Sequence, residues 1–338
     1  MEQWQARKAA IQYLNTFLSI VDQVSWAKNE VTNKMFIDKL SGEAYGLRAL
    51  NYYYLLMAHG GWTEDGKLLG VPMLLEPEST TSDFNQARAP FSECVQQIFE
   101  DLELASELLP LDYENIDSDA EVPAKYKEIG AQLGNYNLVF GTYQRGRLTM
   151  RIVEAIKAQV ALLAASPAYR EGSEVTSETA ANYAAAVLNR IGGVTGLDPK
   201  GHTWYMNTEE LDNLGSGEVS AEILWRGNKS IGTEDWDMGI KQEKDNFPPT
   251  FYGSGRINPT QNLVDAFPMA NGYPIADKAN SGYSENAPYT GRDPRLEKYI
   301  LFNGAEFKDK TIITGLYPDE DNNCLLYTSP SPRDTERS

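Results

Sequence analysis

Flat aromatic side chains beside polar residues are the groups in this sequence best suited to contact a ligand. The chain has 19 Tyr and 6 Trp, and several lie in stretches rich in Gly, Asn and Pro rather than in helical patterns. Sugar rings offer flat C–H faces edged by hydroxyl groups, so an aromatic ring beside hydrogen-bonding side chains suits them. The candidate ligand-binding residues are Trp62, Trp204, Tyr205, Asn207, Trp236, Tyr283 and Tyr289. Trp225, within the apolar stretch EILW, is predicted instead to be a core residue.

Residue patterns for bond-making chemistry are missing from the sequence. The two histidines, His59 and His202, have no second His or Cys at ligand spacing, which disfavours a zinc site. GSGR and GSGE are glycine turns rather than nucleophile elbows, and neither a phosphate-binding loop nor a dinucleotide fingerprint is present. Asp112 to Glu121 could offer oxygens to calcium, but without the order of an EF-hand. We therefore predict no catalytic residue, no metal and no cofactor.

Paired carboxylates keep one enzymatic alternative open, because glycoside hydrolysis needs only two of them. Glu234, Asp235 and Asp237 flank Trp236. However, the chain carries 48 Asp and Glu residues, so neighbours in sequence say little about a catalytic pair, and a solvated acidic face is the simpler interpretation. An all-helical glycoside hydrolase remains the alternative.

The charge balance excludes some partners. A formal net charge of −18 disfavours binding to nucleic acid or to anionic lipid through a basic patch. Apolar stretches are interrupted too often by charged residues to span a bilayer. Cys94 lies in a helical pattern beside Val95 and Ile98, which predicts a buried thiol.

Helical periodicity dominates the first half of the chain. It predicts an opening helix with Ile11, Leu14, Phe17, Leu18 and Val21 on one face, and further helices over about 91–109, 149–165 and 177–191. A second helix is predicted to start at a Ser41 cap and to end at Gly60 and Gly61. The fifth predicted helix, over about 177–191, contains Ala180, Ala181, Ala184, Ala185 and Ala186, which predicts close packing on a neighbouring helix.

Polar composition interrupts these helices twice. Residues 111–146 are acidic and rich in Gly and Tyr, which predicts a surface loop insertion. After Gly196 the apolar bursts AEILWR and KYILFN predict short strands, and PTQNLVDAF predicts a short helix. The expected organisation is a helical scaffold over 1–195 and an irregular ligand-binding region over 196–323.

Five segments of the chain carry recognisable motifs, in this order: GEAYGLRALNYYYLLMAHGG, GVPMLLEPES, RAPFSECVQQIFEDLELASELLP, GRLTMRIVEAIKAQVALLAASPAY, and NPTQNLVDAFPMANGYPI followed by GRDPRLEKYILFNG. In this order they resemble the SusD/RagB family of outer-membrane nutrient-binding proteins. Together they extend over residues 42–304, and their order makes the resemblance specific. Pro90 departs from the usual Ser or Thr before the third helix. Arg48, Arg88 and the turn Arg292–Arg295 are interpreted as structural residues.

The resemblance implies a mainly α, SusD-like fold of tetratricopeptide-like helical pairs with a loop-rich ligand region. It also implies a binding protein rather than an enzyme, one that captures oligosaccharide or another nutrient on the external face of the outer membrane. Delivery to a SusC-like TonB-dependent transporter and attachment through a lipid anchor are part of the same implication. A tetratricopeptide-like scaffold for protein partners is the remaining alternative.

Both ends of the sequence suggest a fragment. The first residues have the pattern of a helix already under way, without an export signal. CLLYTSPSPRD, from Cys324 to Asp334, is the translation of a common sequencing adaptor, so we expect residues 324–338 to be an artefact and residues 1–323 to be the domain fragment.

Overall fold

The computed structural model describes residues 2–197, 213–215, 223–226 and 244–314. They divide between two compact units, Met1–Lys229 and Ser230–Ser338. The predicted mainly α fold is confirmed, since the described strands are only two residues long. No described helix is both long and apolar enough to cross a membrane. The helices of the first unit are α1 (Glu2–Leu18), α2 (Glu30–His59), α3 (Phe91–Leu108), α4 (Ala124–Lys127), α5 (Leu133–Phe140), α6 (Met150–Ala164), α7 (Arg170–Ser173) and α8 (Ser177–Asn189).

Helix α3 forms the centre of the main core. Phe91, Val95, Ile98 and Leu102 recur every three or four residues, so they share one face, and all four are buried. Helix α2 covers this face on one side and α6 on the other, while α1 packs on α2 and α8 on α6. The predicted buried thiol of Cys94 lies in the same core.

A buried ion pair joins four parts of this unit. Arg48 on α2 donates two hydrogen bonds to the Asp101 carboxylate on α3, at 2.8 and 2.7 Å. It also donates to the Asn15 side chain on α1 at 2.9 Å and to the Leu75 carbonyl at 3.2 Å. Burial raises the pKa of Asp101, and the hydrogen bonds from Arg48 oppose that shift. This extensive hydrogen bonding offsets the cost of removing two charges from water.

Helix α2 begins eleven residues before the predicted start. The Asn29 side chain accepts a hydrogen bond from the Thr32 amide and caps the helix, so the prediction of a Ser41 cap is wrong. The early turns escaped detection because they are polar outside and contain a buried lysine, Lys39. The predicted end at Gly60 is confirmed.

Residues 111–146 fold around a second hydrophobic cluster, which corrects the expectation of a surface loop there. The segment contains α4 and α5, and its aromatic and aliphatic side chains pack on the start of α2. Glycines and acidic residues hide this cluster in the sequence, because its members are spread over several short turns. The cluster consists of Met35, Tyr113, Val122, Tyr126, Ala131, Val139 and Phe140.

Lys39 lies at the edge of this second cluster with only 2 % of its surface exposed. Its ammonium donates to the Gln144 side chain at 2.8 Å and is 4.0 Å from the Glu43 carboxylate. It also faces the rings of Phe36 and Tyr113 at 5.5 and 5.8 Å. Burial lowers the pKa of Lys39 to about 8, although the charge of Glu43 acts in the opposite direction.

The second unit is built from short elements. Its described elements include the helices α9 (Gln261–Ala266) and α10 (Pro294–Tyr299), and β3 (Glu306–Phe307) pairs antiparallel with β4 (Lys310–Thr311). Thr260 caps α9, which confirms the helix predicted in PTQNLVDAF. The strand predicted in KYILFN is wrong, because Pro294 and the Asp293 cap place Lys298 and Tyr299 in α10.

Two further predictions need correction. The described part of AEILWR, residues 223–226, contains no strand. In α8 only Ala180 of the five alanines is buried, and Ala181, Ala184, Ala185 and Ala186 are exposed. The contact of α8 with α3 and α6 instead uses Tyr183, whose ring meets Phe99 edge-on and lies under the Lys157 ammonium.

Replacement of Arg48 by Met is expected to lower the free energy of unfolding by about 3–5 kcal/mol, because it leaves the Asp101 charge buried without its partner. Urea denaturation measures the change. The matched control is Arg190→Met, which removes a two-point pair with Glu154 at the surface and should cost about 1 kcal/mol or less. Equal losses in the two variants would contradict the structural role of Arg48.

The lowered pKa of Lys39 should make the free energy of unfolding depend on pH in a defined direction. Its pKa is lowered from 10.5 to about 8 in the folded protein, so the unfolded chain binds more protons between these values. The free energy of unfolding should therefore rise with pH across this window, relative to Lys39→Met. Urea denaturation of both proteins at pH 7, 8, 9 and 10 measures the difference between their free energies of unfolding. Because the tyrosines titrate in both proteins, their contribution cancels in this difference. A difference that is constant with pH would show that Lys39 keeps an ordinary pKa.

Candidate ligand-binding site

Trp62 is held at the surface by a small hairpin. Strand β1 (Gly61–Trp62) pairs antiparallel with β2 (Leu68–Leu69), and Trp62 lies opposite Leu68. The indole N–H donates to the Ala168 carbonyl at 2.8 Å, while 48 % of the residue stays exposed. The ring therefore has a fixed position and a face open to solvent, as a sugar-stacking residue requires.

Arg88 holds the base of this hairpin, which confirms its predicted structural role. Its guanidinium donates to the carbonyls of His59, Leu69 and Gly70 at 2.7, 2.9 and 2.8 Å. At the tip, hydrogen bonds from Lys67 and Thr63 lower the pKa of the Asp65 carboxyl. These groups fix the backbone on both sides of Trp62.

Tyr283 and Tyr289 lie in the second unit, around a buried arginine. Arg292 donates to the carbonyls of Pro288, Val264 and Phe267 at 2.7–2.8 Å, and its guanidinium lies 5.7 Å from the centre of the Tyr283 ring. Tyr289 stacks on Phe302 with ring centres 4.2 Å apart.

Both tyrosines are partly exposed, and Tyr289 already uses one ring face within the protein. Burial raises the pKa of Tyr289, so it remains a neutral hydroxyl donor at physiological pH. Arg292 and the Asp293–Arg295 pair have the structural role expected from the sequence, because Asp293 both caps α10 and pairs with Arg295 at 2.7 Å.

Four of the predicted site residues lie outside the described part of the chain. They are Trp204, Tyr205, Asn207 and Trp236, and the acidic residues Glu234, Asp235 and Asp237 are outside it as well.

The first unit contains a cavity of about 340 Å³ that the sequence analysis missed. Trp225 lines it, with its indole N–H bonded to the Gly146 carbonyl at 2.9 Å and 37 % of the residue exposed. The prediction of a core position for Trp225 is therefore wrong. The lining comprises residues 112–114, 145–147, 149, 152, 214 and 224–226.

Two-point ion pairs surround this cavity. Arg151 donates to both oxygens of Asp112 at 3.0 and 2.7 Å, and these bonds raise the pKa of Arg151. Arg145 donates from a single nitrogen, Nη2, to both oxygens of Glu114 at 2.6 Å. The Arg151–Asp112 pair, with two parallel bonds, fixes its planar groups at a defined angle. The cavity therefore combines an indole with rigid, charged hydrogen-bonding groups.

Arg147 also lines the cavity and has more freedom. Its Nη1 donates to Glu43 at 3.1 Å, and half of its side chain is exposed. Among the described residues, no group of three or more His, Cys, Asp or Glu side chains is placed to hold a metal ion. The chemistry that these described residues can offer is hydrogen bonding and stacking.

Comparison with protein-family models gives two matches. Residues 1–127 match the SusD-like_3 model, described as starch-binding and associating with the outer membrane, and residues 221–337 match the SusD_RagB model of the SusD family. The chain belongs to the SusD/RagB family. The resemblance seen in the sequence is thus confirmed, and the second match includes most of the segment 324–338.

Solved SusD-like structures share this fold. A SusD-like protein from Bacteroides fragilis NCTC 9343 has 22 % identity and a TM-score of 0.55, and the match covers 90 % of this chain and 49 % of that one. A SusD-like carbohydrate binding protein from the same organism has 16 % identity and a TM-score of 0.50, with 94 % and 49 % covered. This SusD-family chain therefore spans about half the length of these structures. A search of curated proteins gives no match.

The exposed position of Trp225 predicts a small effect on stability. Trp225→Ala should lower the free energy of unfolding by about 2 kcal/mol, from the loss of its single hydrogen bond and of the partly buried ring. Phe91→Ala, which empties a fully buried core position, should cost about 3–5 kcal/mol. Urea denaturation compares the free energies of unfolding of the two variants. Equal losses would show that Trp225 is a core residue.

Proposed function

We propose that this protein captures oligosaccharide at the cell surface and does not transform it. The observation that carries the proposal is the cavity beside Trp225, where an indole lies among fixed guanidinium and carboxylate groups. A sugar ring can stack its C–H face on the indole and bond its hydroxyls to the charged groups. Membership in the SusD/RagB family supports the same function.

The predicted aromatic residues extend the proposed binding surface. Trp62 offers a fixed ring with an open face, and Tyr283 and Tyr289 offer partly exposed rings with hydroxyl donors. Trp204, Tyr205, Asn207 and Trp236 remain candidates from the sequence. We expect the set that binds to depend on the glycan.

Binding without hydrolysis agrees with the state of the carboxylates at the cavity. Glycoside hydrolysis needs one carboxylic acid that carries a proton and a second carboxylate that is free to act. Asp112 and Glu114 instead accept two hydrogen bonds each from an arginine. Neither is therefore placed to donate a proton to a glycosidic oxygen.

Delivery to a SusC-like TonB-dependent transporter, on the external face of the outer membrane and through a lipid anchor, is the finer part of the proposal. It is supported by the description of the matching family model as associating with the outer membrane. Co-purification of a barrel transporter from the native host supports delivery, and a protein that binds glycan but never such a transporter would limit the function to capture.

Glycan binding is tested by titration calorimetry against a panel of neutral and acidic oligosaccharides. At least one should bind, and Trp225→Ala should weaken that binding by about tenfold through loss of ring stacking. Trp26→Ala is the matched control, because Trp26 is also 37 % exposed and also bonds a backbone carbonyl, that of Val21, but lies outside the cavity.

The same samples discriminate the alternatives. Shortened oligosaccharides after incubation would favour the glycoside hydrolase. Binding of protein partners with no affinity for any glycan in the panel would favour the tetratricopeptide-like scaffold and overturn the proposal.

A further inference from the structure

The two carboxylates that line the Trp225 cavity already accept hydrogen bonds from arginines. A carboxylate has about four acceptor sites on its two oxygens, and both oxygens of Asp112 and of Glu114 are bonded by arginines. These two acids therefore have reduced capacity to accept hydrogen bonds from a ligand. This limits how strongly the cavity can bind a ligand through the ligand's own hydroxyl donors.

Arg147 supplies the donors. A guanidinium carries five N–H groups, and Arg147 uses one nitrogen, Nη1, for its bond to Glu43 at 3.1 Å. Half of its side chain is exposed, and its guanidinium has no second hydrogen-bond partner within the part of the chain that the structure describes, so the remaining edge is open to a ligand. A planar guanidinium edge binds a carboxylate through two parallel hydrogen bonds.

The indole and this guanidinium are held next to each other along the chain. The indole N–H of Trp225 bonds the carbonyl of Gly146, and Arg147 is the next residue. A ring stacked on Trp225 therefore lies beside the backbone from which Arg147 extends. The volume, about 340 Å³, is at the lower end of small-molecule sites and suits one or two sugar rings.

The charge of the whole chain makes this arrangement selective. A formal net charge of −18 disfavours the approach of anions to the chain as a whole. A negatively charged ligand is therefore held only where local donors overcome that repulsion, and the exposed edge of Arg147 offers such donors. Neutral sugars gain less from the same edge, because a hydroxyl accepts a weaker hydrogen bond than a carboxylate does.

We propose that the Trp225 cavity selects a sugar that carries a carboxylate, with the ring on the indole and the carboxylate on Arg147. This inference rests on the proposed capture of oligosaccharide and names the class of ligand. It involves binding alone, with no bond made or broken.

The test compares each acidic sugar with its own neutral form. Trimers of galacturonate, glucuronate and mannuronate are titrated into the protein beside their methyl esters, which keep the ring and remove the charge. At least one acid should bind about tenfold more tightly than its ester, the difference expected for a charged hydrogen-bonded pair. Higher salt should reduce that preference. Equal affinities of acid and ester in all three pairs would overturn the inference.

Variants of one residue assign the preference to Arg147. Arg147→Gln should remove the preference for the acid while the affinity for the ester changes by about twofold or less. Arg190→Gln, which removes a surface arginine outside the cavity lining, should leave it intact. If Arg147→Gln does not fold, Arg147→Lys keeps the charge without the planar edge and should give a partial loss. An unchanged preference in the folded Arg147 variant contradicts the assignment.

Failure of this inference is separable from failure of the proposed function. Trp225-dependent binding of neutral glycans, with no preference for uronates, would overturn the carboxylate site and leave capture of oligosaccharide standing. Equal binding of a sulfated galactose trimer would show general anion binding and would also overturn the carboxylate assignment. Absence of binding to every glycan would overturn both proposals.

Discussion

The two-point bond between Arg48 and Asp101 is the interaction on which the arrangement of the first unit depends. It joins α2 to α3 in the middle of the core, and through Asn15 and Leu75 it also fixes α1 and the segment before α3. Charged groups in such a position tolerate little displacement, because each lost hydrogen bond leaves part of a charge without water or partner. The pair therefore specifies how these helices align, whereas the apolar side chains around it supply most of the favourable free energy.

Close backbone approaches along α2 follow from that alignment. A side chain at Gly46 would place its Cβ 2.2 Å from Leu148, and one at Gly42 would place it 2.9 Å from Leu108. Glycine costs helix stability in such positions, so its presence reflects the packing of α2 rather than local preference. The approach at Gly46 brings α2 against Leu148, next to Arg147 and Thr149 of the cavity lining.

Helices with an apolar stripe could be predicted from the sequence nearly to the residue. The apolar spacing in α3, such as Phe91, Val95 and Ile98, and the same periodicity in α6 predicted both helices, because that signal is local. The start of α2 could not be predicted, since the buried Lys39 interrupts its apolar pattern and is accommodated only by side chains distant in sequence, such as Gln144. The family resemblance predicted features that helical periodicity could not, including the structural roles of Arg48 and Arg88. The Trp225 cavity was beyond either approach, because it assembles segments near residues 113, 146 and 225 that only tertiary packing brings together.

Helix α2 is a single uninterrupted rod of 30 residues, or about 45 Å at the usual rise per residue. Glu43, the anchor of Arg147, lies only five positions before Arg48 on this rod. Glu43 beside the cavity and Arg48 in the central ion pair therefore lie on the same rigid helix. A substitution that tilts α2 at its centre is therefore expected to shift Glu43 and Arg147 at the cavity without replacing either residue.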